Sequence, residues 1–497
     1  MSAEALAGGA SATASRAERV GGARAEAAPA GRGTLAFATV LAVVMVFTTA
    51  WIILDASVGA SPLLPYSPYF TGWLRHVTGQ RLTFHIFLAC LLAFTVAYAA
   101  LLPLAARLPR RMILALLGVL YAIVFVGPVL LSTDVFSYIA YARLGALHGL
   151  NPYTHVPANI SGDAIYKYVG GDWIYTPTAY GPLYTLFSYP FAFLGVVGAV
   201  WGMKVAAMAG CIGTDWLTWR CAVRRGLEPK LALLVVGANP LVVIYSLASF
   251  HNDFLMIALM MLAVYLTLTT PARAAGAGAG SAAPGGGGED GVGPASASVG
   301  GRGQVGMLWA RLRDGRREAW AAAAVIVGTL VKATVAAILP FMILGRRRSP
   351  AVLGALGALV VGLLVSFIAF GPHGVDIVSV LNRDSAYVST DSFATELAHL
   401  LGKPGVYPVD HAILKGLLAV IGVYLLWRTW RGYDWVAAAG WVLLAITVTT
   451  TWLLAWYLIW PLPMAASSRD RRLLWAVLVI QALFVLHQIS PLFTPEA

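Results

Sequence analysis

Cysteine and charge are the two features that this sequence has least of. Only three cysteines occur in 497 residues, Cys90, Cys211 and Cys221, and all three lie within apolar runs. That number and placement argue against a disulfide framework and against a thiolate metal site. Charged residues make up only 11% of the chain, whereas soluble domains carry about 25%. Most of the chain is therefore expected to face lipid or protein rather than water.

Long apolar runs take the place of the missing charge. They recur from Thr34 to Ile489, and each has roughly the 17–25 residues that cross the hydrocarbon core of a bilayer. The first run begins only after 33 residues rich in Ala, Gly and Arg. It is interpreted as a retained span, because a cleaved signal peptide has its apolar core closer to Met1. These features predict an all-α polytopic membrane protein.

The basic residues are distributed as in a membrane protein. The net charge of +12 would by itself also fit nucleic-acid binding. However, Lys and Arg form short clusters between the apolar runs, as the positive-inside rule describes, and no nucleic-acid partner is predicted. The clusters place the N-terminus in the cytoplasm and predict a multi-pass protein of the cell membrane with about 13 crossings.

Composition divides the chain into four parts. Residues 1–33 are predicted to form a disordered cytoplasmic tail, and 271–317 a flexible cytoplasmic linker rich in Gly and Ala. An N-terminal transmembrane half is predicted at 34–270 and a C-terminal half at 318–497. Each half is expected to carry one large outer loop, at 132–181 and at 372–410.

Three apolar segments do not fit a simple series of crossings. Residues 182–198 are predicted to enter the membrane from outside without crossing it, because the next run alone satisfies the basic cluster that follows. Residues 318–344 and 434–466 each lie between basic clusters, so each is expected to form a hairpin of half-length helices. The tips of the hairpins are predicted near Lys332 and near residues 449–451.

This topology brings distant polar residues to one side of the membrane. Asp134 follows a predicted outward crossing, residues 251–253 form an outer turn, and Lys332 lies at a hairpin tip. Ionisable groups at such positions are expensive to bury and usually functional. The sequence therefore predicts a cavity that opens on the outer face.

Each of these residues has a functional and a structural interpretation. Asp134 fits a general base that takes a proton from a hydroxyl, or the cap of the following helix. His251, Asn252 and Asp253 fit sugar hydroxyls or a clamp on the base, or a plain polar turn. Lys332 fits a lipid phosphate, or snorkels to an interface.

Other residues extend the same predictions. Lys204 is a second, weaker candidate for the phosphate. No metal is predicted, because no second His/Asp cluster has ligand spacing. The segment 151–184 is rich in aromatic residues that suit either sugar stacking or an interfacial belt, namely Tyr153, Tyr166, Tyr168, Trp173, Tyr175, Tyr180 and Tyr184.

Four motifs carry a family resemblance that extends over roughly residues 34–490. They are STDVFSYIAYARLGALHGLNPY (132–153), TAYGPLYTLFS (178–188), SFHNDFLMIAL (249–259) and LVKATVAAILP (330–340). With them the chain resembles the C-type (GT-C) glycosyltransferases. It is most similar to the actinobacterial polyprenol-phosphate-mannose-dependent alpha-1,6-mannosyltransferases of lipomannan and lipoarabinomannan assembly.

The resemblance implies a fold and an activity. It implies a GT-C-type helical bundle that moves a hexose, expected to be mannose, from a polyprenyl-phosphate donor to a glycan or glycolipid acceptor of the cell envelope. The transfer is expected to invert the anomeric centre and to need no cofactor. Asp134 takes the role of catalytic base, since such enzymes use an acid in their first large outer loop. Here that loop follows the third predicted span, so two additional spans precede the core.

Substrate contacts are predicted for residues around these motifs, with membrane lipid as the surroundings of the donor. They are Tyr138, Arg143, Asn151, Tyr153, Tyr180, His251, Asn252 and Asp253.

A secondary transporter or lipid-linked sugar flippase is the alternative function, because discontinuous helices beside a binding site also mark transporters. Two features count against it: the polar residues gather on one face instead of the midplane, and no inverted repeat is visible. A membrane scaffold, the third interpretation, gives no reason for Lys332.

Overall fold

The computed structural model describes residues 29–56, 84–268, 301–347, 349–375, 383 and 386–492. Within these residues the chain is built from helices and contains no strand. This confirms the all-α prediction, and its cause is physical: a segment in lipid must satisfy its own backbone hydrogen bonds. Most of the predicted tail, residues 271–300 of the predicted linker and part of the predicted second outer loop lie outside the described residues. Residues 301–317 of the predicted linker belong to a helix, contrary to the prediction of a flexible segment.

Seventeen α-helices are present in the described part of the chain. In order they are α1 Arg32–Ala56, α2 Phe84–Leu101, α3 Arg110–Val126, α4 Asp134–Ala146, α5 Gly171–Ile174, α6 Pro182–Ala192, α7 Gly195–Arg224, α8 Pro229–Gly237, α9 Asp253–Thr267, α10 Gly301–Thr329, α11 Leu339–Arg346, α12 Ser349–Phe370, α13 Phe393–Leu400, α14 Pro408–Trp430, α15 Trp435–Thr449, α16 Leu462–Ala466 and α17 Arg471–Ile489.

Six of these helices are long and apolar enough to cross a membrane: α1, α2, α7, α12, α14 and α17. The bent pair of α8 and Leu241–Leu247, which turns by 40°, makes a seventh if it is counted as one span. The prediction of about 13 crossings is therefore not confirmed by the described residues. Several of the other apolar segments form shorter helices, such as the 15-residue α9 and α15.

Short helices occur where the sequence predicts incomplete crossings. Helix α6 covers 11 residues and ends at Ala192, and α7 begins at Gly195. The predicted boundary at residue 198 is therefore wrong by a few residues: Gly195 has a φ of +67°, which glycine adopts without strain, so the chain turns there. Short 3₁₀ segments follow the ends of α10 and α15, at Ala333–Ile338 and Ala455–Ile459.

The basic ends of the helices meet at one end of the bundle. Arg225, after α7, pairs with Asp434, which caps α15. Arg469, before α17, donates to the Arg225 carbonyl at 3.1 Å. Arg347, after α11, donates to the Trp430 carbonyl at the end of α14. The clusters that the sequence assigns to a single side of the membrane are thus in mutual contact.

The candidate site residues lie on other helices, at the end of the bundle opposite the basic cluster. Asp134 and Asp253 are the first residues of α4 and α9, and Lys332 follows α10. The C-terminal end of α9 meets the basic end of α7, because Arg224 donates to the Tyr265 carbonyl at 2.6 Å. The bundle therefore has one basic end and, opposite it, one end that carries the candidate site.

A close backbone contact holds the Lys332 turn against the start of α6. The Gly181 amide donates to the Val331 carbonyl, and the Leu183 amide donates to the Leu330 carbonyl, both at 3.0 Å. A Cβ atom at Gly181 would lie 2.1 Å from the Leu330 carbonyl oxygen. Since Gly181 has φ −65° and ψ 153°, which alanine also adopts, only this close approach requires glycine.

We expect Gly181→Ala to displace the Lys332 turn and to destabilise the fold by about 1–3 kcal/mol, the usual cost of overpacking. Thermal unfolding of the detergent-solubilised protein measures this as a lower melting temperature. Gly213→Ala, in the middle of α7, is the matched control, because its Cβ would meet only Ala258 Cβ at 3.8 Å. Equal melting temperatures for the two variants would contradict the contact.

Candidate active site

Asp134 lies at the first position of α4 and is 7% exposed. Thr133 is the residue at the N-cap position, and no side chain caps the helix. The Asp134 amide instead donates to Ser132 Oγ at 3.1 Å. The structural interpretation of Asp134 as the cap is therefore wrong, and its carboxylate remains available to the cavity described below. A carboxylate in the first turn is also stabilised by the helix dipole.

Two residues with strained backbone conformations lie just before Asp134 and His251. Leu131 and Phe250 have φ values of +63° and +52°, a region that costs a non-glycine residue of the order of 1–3 kcal/mol. They are held there by contacts between the two segments: the Leu130 amide donates to the Ala248 carbonyl at 3.0 Å, and Ser249 Oγ donates to the Leu130 carbonyl. Strain of this kind clusters at functional sites.

His251 lies directly behind Asp134. Its Nδ1 is 3.5 Å from Asp134 Oδ2 and 3.3 Å from the Tyr138 hydroxyl. Its ring stacks on Trp456 with the centroids 3.7 Å apart, and it is fully buried. The imidazole is thus held in one plane, where Nδ1 can orient the carboxylate of Asp134.

Asp253 holds Lys332 in an ion pair. Lys332 Nζ donates to Asp253 Oδ1 at 2.8 Å and to Oδ2 at 3.0 Å. Trp460 Nε1 donates to the same Oδ1 at 2.5 Å. Asp253 is 0% exposed, so its charge is stable only with such partners. Snorkelling to an interface is therefore not what Lys332 does here.

Asp134 and Lys332 line the same cavity of about 250 Å³. This volume is just below the roughly 300–1,000 Å³ of pockets for drug-sized ligands, so it fits one sugar-sized group. Seven of its 19 lining residues are Tyr or Trp, namely Tyr153, Trp173, Tyr180, Tyr387, Trp452, Tyr457 and Trp460. Aromatic faces beside one carboxylate and one ammonium suit a hexose that carries a phosphate.

The loop after α4 is fixed to that helix by an ion-pair cluster. Arg143 Nε and His148 Nε2 each lie 2.8 Å from a carboxylate oxygen of Asp163, and Arg143 also donates to the Ala192 carbonyl at 3.1 Å. Burial raises the pKa of Asp163, but the hydrogen bonds from Arg143 and His148 outweigh it, so the pKa lies below its usual value. The predicted substrate contact Arg143 thus holds the loop and does not line the cavity.

Six other predicted residues also lie outside the cavity lining: Tyr138, His251 and Asp253, which stand behind it, and Lys204, Asn151 and Asn252. Lys204 is buried in α7, where Nζ donates to the Gly127 carbonyl at 2.7 Å and lies 4.0 Å from the Trp201 ring centroid. Asn151 donates to the Phe370 carbonyl at 2.7 Å and holds the turn before Tyr153. The Asn252 side chain is buried without a hydrogen-bond partner among the described residues. The structure does not bring Lys204 to Lys332.

The remaining predicted residues surround the acid. Tyr153 and Tyr180 line the cavity, and the Tyr153 hydroxyl donates to the Tyr180 carbonyl at 2.8 Å. Tyr138 stands behind them, edge-on to Tyr180 with the ring centroids 4.7 Å apart. These aromatic side chains belong to the site and not to an exposed belt.

Sequence reasoning missed the aromatic segment 456–460. Trp456 and Trp460 come from the C-terminal half, yet one covers His251 and the other binds Asp253. The sequence signal for this segment is the four-residue spacing of the two tryptophans just after the threonines at 449–451. That signal is weak, because tryptophans in an apolar run are common in membrane spans.

The ion pair predicts a specific pattern of stability. Asp253→Asn keeps the shape and the acceptor for Trp460 but leaves the Lys332 ammonium unpaired, which costs about 3–5 kcal/mol for a buried pair. The double variant Asp253→Asn/Lys332→Met removes both charges and is expected to recover most of the loss. Melting temperatures in detergent measure the difference. If the double variant melts as low as Asp253→Asn alone, the pair is not what stabilises this region.

Two family models match the chain. One described as Alpha-(1->6)-mannopyranosyltransferase, N-terminal domain, matches residues 36–347, and one described as MptB C-terminal domain matches residues 395–491. Asp134, His251, Asp253 and Lys332 fall within the first match. The aromatic segment 456–460 falls within the second, so both matched regions contribute to the site.

Individual relatives agree with the family models. The chain is similar to Alpha-(1->6)-mannopyranosyltransferase A of Mycobacterium tuberculosis, with 26% identity over 386 residues that are 70% of this chain and 65% of that protein. A second mannopyranosyltransferase of that organism is 33% identical over 148 residues, which are 29% of this chain and 25% of that protein. Alpha-(1->6)-mannopyranosyltransferase A of Corynebacterium glutamicum is 31% identical over 153 residues, which are 29% of this chain and 30% of that protein.

In each case the chain spans less than two thirds of the relative's length. No solved structure matches the chain. The N-terminal-domain model alone covers more than half of the 497 residues, which confirms the resemblance seen in the motifs. The chain belongs to the alpha-(1->6)-mannopyranosyltransferase family.

Proposed function

We propose that this protein transfers mannose from a polyprenyl-phosphate donor to a mannan-type glycan or glycolipid acceptor at the extracytoplasmic face of the cell membrane. The observation that supports this most directly is the shared cavity: Asp134 and Lys332, 198 residues apart in sequence, line one aromatic-walled space of about 250 Å³. Transfer needs a base for the acceptor hydroxyl and a hydrogen-bond donor for the leaving phosphate. Asp134 supplies the base and Lys332 supplies the donor.

Asp134 acts as the general base. A carboxylate at the edge of a cavity can accept the proton of an acceptor hydroxyl as that oxygen attacks. His251 Nδ1, 3.5 Å from Asp134 Oδ2, keeps the carboxylate turned toward the cavity, and Trp456 prevents the imidazole from tilting. The role of His251 is positioning.

Lys332 acts on the phosphate. An ammonium group has three N–H donors, of which Asp253 engages two, so one remains for a phosphate oxygen. Because Asp253 balances the charge of Lys332 in the resting site, the effect on the leaving group comes mainly from a preorganised hydrogen bond. Removing one such donor typically costs about 10²–10³ in kcat.

The reaction is a single displacement. The acceptor oxygen forms a bond to the anomeric carbon, the bond from that carbon to the phosphate oxygen breaks, and the phosphate leaves with the electron pair. The acceptor proton ends on Asp134. Attack from the side opposite the phosphate inverts the anomeric centre, so a beta-linked donor yields an alpha-linked product.

The distribution of basic residues supports the assignment of the site to the outer side of the membrane. The basic helix ends meet at one end of the bundle, opposite Asp134, Asp253 and Lys332. The positive-inside rule assigns that basic end to the cytoplasm, which supports an extracytoplasmic site. A donor with its lipid tail in the bilayer can present its sugar there.

Asp134→Asn is expected to lower transfer by about 10²–10⁴-fold, the usual contribution of a general base, with no loss of expression. Membranes containing the full chain are incubated with radiolabelled polyprenyl-phosphate mannose and a short alpha-1,6-mannan acceptor. Asp410→Asn, whose carboxylate pairs with Lys403 on the surface, serves as the control and should retain full activity.

Normal transfer by Asp134→Asn would exclude it as the base. If the unaltered protein moves labelled donor across a vesicle membrane but forms no glycosidic product, the alternative of a lipid-linked sugar flippase is correct instead.

Lys332→Ala is expected to slow turnover by about 10²–10³-fold, because the departing phosphate loses its preorganised donor. Initial rates over a range of donor concentrations separate this effect on kcat from an effect on KM. Lys403→Ala removes a surface ammonium that does not line the cavity and is the control. An unchanged kcat and KM in Lys332→Ala would show that the phosphate binds elsewhere.

A further inference from the structure

A second cavity, which shares no lining residue with the candidate active site, lies in a groove between α3 and α7 and has a volume of about 630 Å³. Its lining comes mainly from α3 and α7, including Gly118 and Phe125 of α3 and Asp215 and Trp216 of α7, with Leu233 of α8. The stretch from residue 110 to residue 125 spans about 22 Å at 1.5 Å per residue. That length holds a headgroup and glycerol region at one end and part of an extended acyl chain along the rest.

One end of the groove is basic. Arg110 opens α3, and its guanidinium lies 4.7 Å from the Trp219 ring centroid. Arg220, the next residue along α7, lines the groove and donates to the Tyr265 hydroxyl at 3.4 Å. No carboxylate of the described residues pairs with either guanidinium. The amides of the first turn of α3 add further attraction for an anion.

A buried carboxyl group faces the same groove without a complete set of partners. Asp215 is 6% exposed, and its Oδ2 accepts a hydrogen bond from the Tyr121 hydroxyl at 2.6 Å. Its Oδ1 has no partner among the described residues. A buried polar atom left unsatisfied costs about 1–3 kcal/mol, so a ligand that completes its hydrogen bonding is favoured there. Asp215 lies five residues from Arg220, about 7.5 Å along the helix.

We propose that the groove between α3 and α7 binds an anionic glycerophospholipid. Its phosphate lies between Arg110 and Arg220, and one acyl chain follows the apolar floor toward Phe125. The buried carboxyl of Asp215 is neutral, because no cation of the described residues pairs with it, and it donates from Oδ1 to an ester carbonyl of the glycerol region. Basic pockets between transmembrane helices bind anionic headgroups in this way. The site goes beyond the proposed transfer reaction, because the basic end of α3 is the end opposite Asp134.

The space beside Gly118 shows that the groove is open. A Cβ atom built there meets nothing within 4 Å, so a larger side chain would enter the groove without a clash inside the protein. Gly118→Leu is therefore expected to fold, and to melt no lower than the unaltered chain, since leucine is the better helix former. It fills the middle of the groove and should displace an acyl chain.

The test uses the full chain in nanodiscs of dioleoylphosphatidylcholine that contain a small fraction of phosphatidylglycerol with a photoreactive acyl chain. After irradiation, crosslinked peptides are identified by mass spectrometry. We expect crosslinks to concentrate in residues 114–125 and 208–219. Unlabelled dioleoylphosphatidylglycerol should compete for them, whereas additional dioleoylphosphatidylcholine should not.

Two variants and one control separate the contributions. Arg110→Ala/Arg220→Ala and Gly118→Leu should each lower crosslinking of these peptides by tenfold or more. Arg111→Ala, which removes an exposed neighbouring charge that does not line the groove, should change it less than twofold. Even crosslinking over all helices, equal competition by the zwitterionic lipid, competition by free glycerol phosphate, or unchanged crosslinking in both variants would overturn the proposal.

Discussion

The ion pair between Lys332 and Asp253 is the contact on which the arrangement of the site depends. Asp253 is fully buried, and a buried carboxylate without a partner would be strongly destabilising. Because Asp253 pairs with Lys332, the turn after α10 must lie beside it. Because Asp253 also accepts a hydrogen bond from Trp460, the segment before α16 must lie there too. One buried charge thus joins three parts of the chain that are far apart in sequence.

The position of Asp253 also affects that of Asp134, because His251 lies two residues before Asp253 in the chain and contacts Asp134. His251 contacts Asp134 and stacks on Trp456, and Trp456 and Trp460 belong to one short segment. The proposed base and the proposed phosphate donor are therefore held by adjacent parts of a single buried layer. Since aromatic rings and ion pairs fill this layer, the two groups cannot shift independently, as a preorganised site for group transfer requires.

The sequence predicted what depends on local composition. Apolar run lengths indicated helices, the basic clusters indicated a common basic end, and polar residues at run boundaries indicated Asp134, Asp253 and Lys332. It failed where partners come from distant segments, since no local pattern shows that Arg143 binds Asp163 or that Lys204 turns to the Gly127 carbonyl. The described helices also do not confirm the number of crossings, because apolar composition does not reveal where a helix breaks.

A structure of the full chain with bound polyprenyl-phosphate mannose would test the proposed roles of Asp134 and Lys332. We expect the sugar to occupy the cavity between these two residues, with the anomeric carbon facing the carboxylate and a phosphate oxygen within hydrogen-bond distance of Lys332 Nζ. A donor whose phosphate and sugar lie outside this cavity, with the Lys332–Asp253 pair untouched, would contradict these roles.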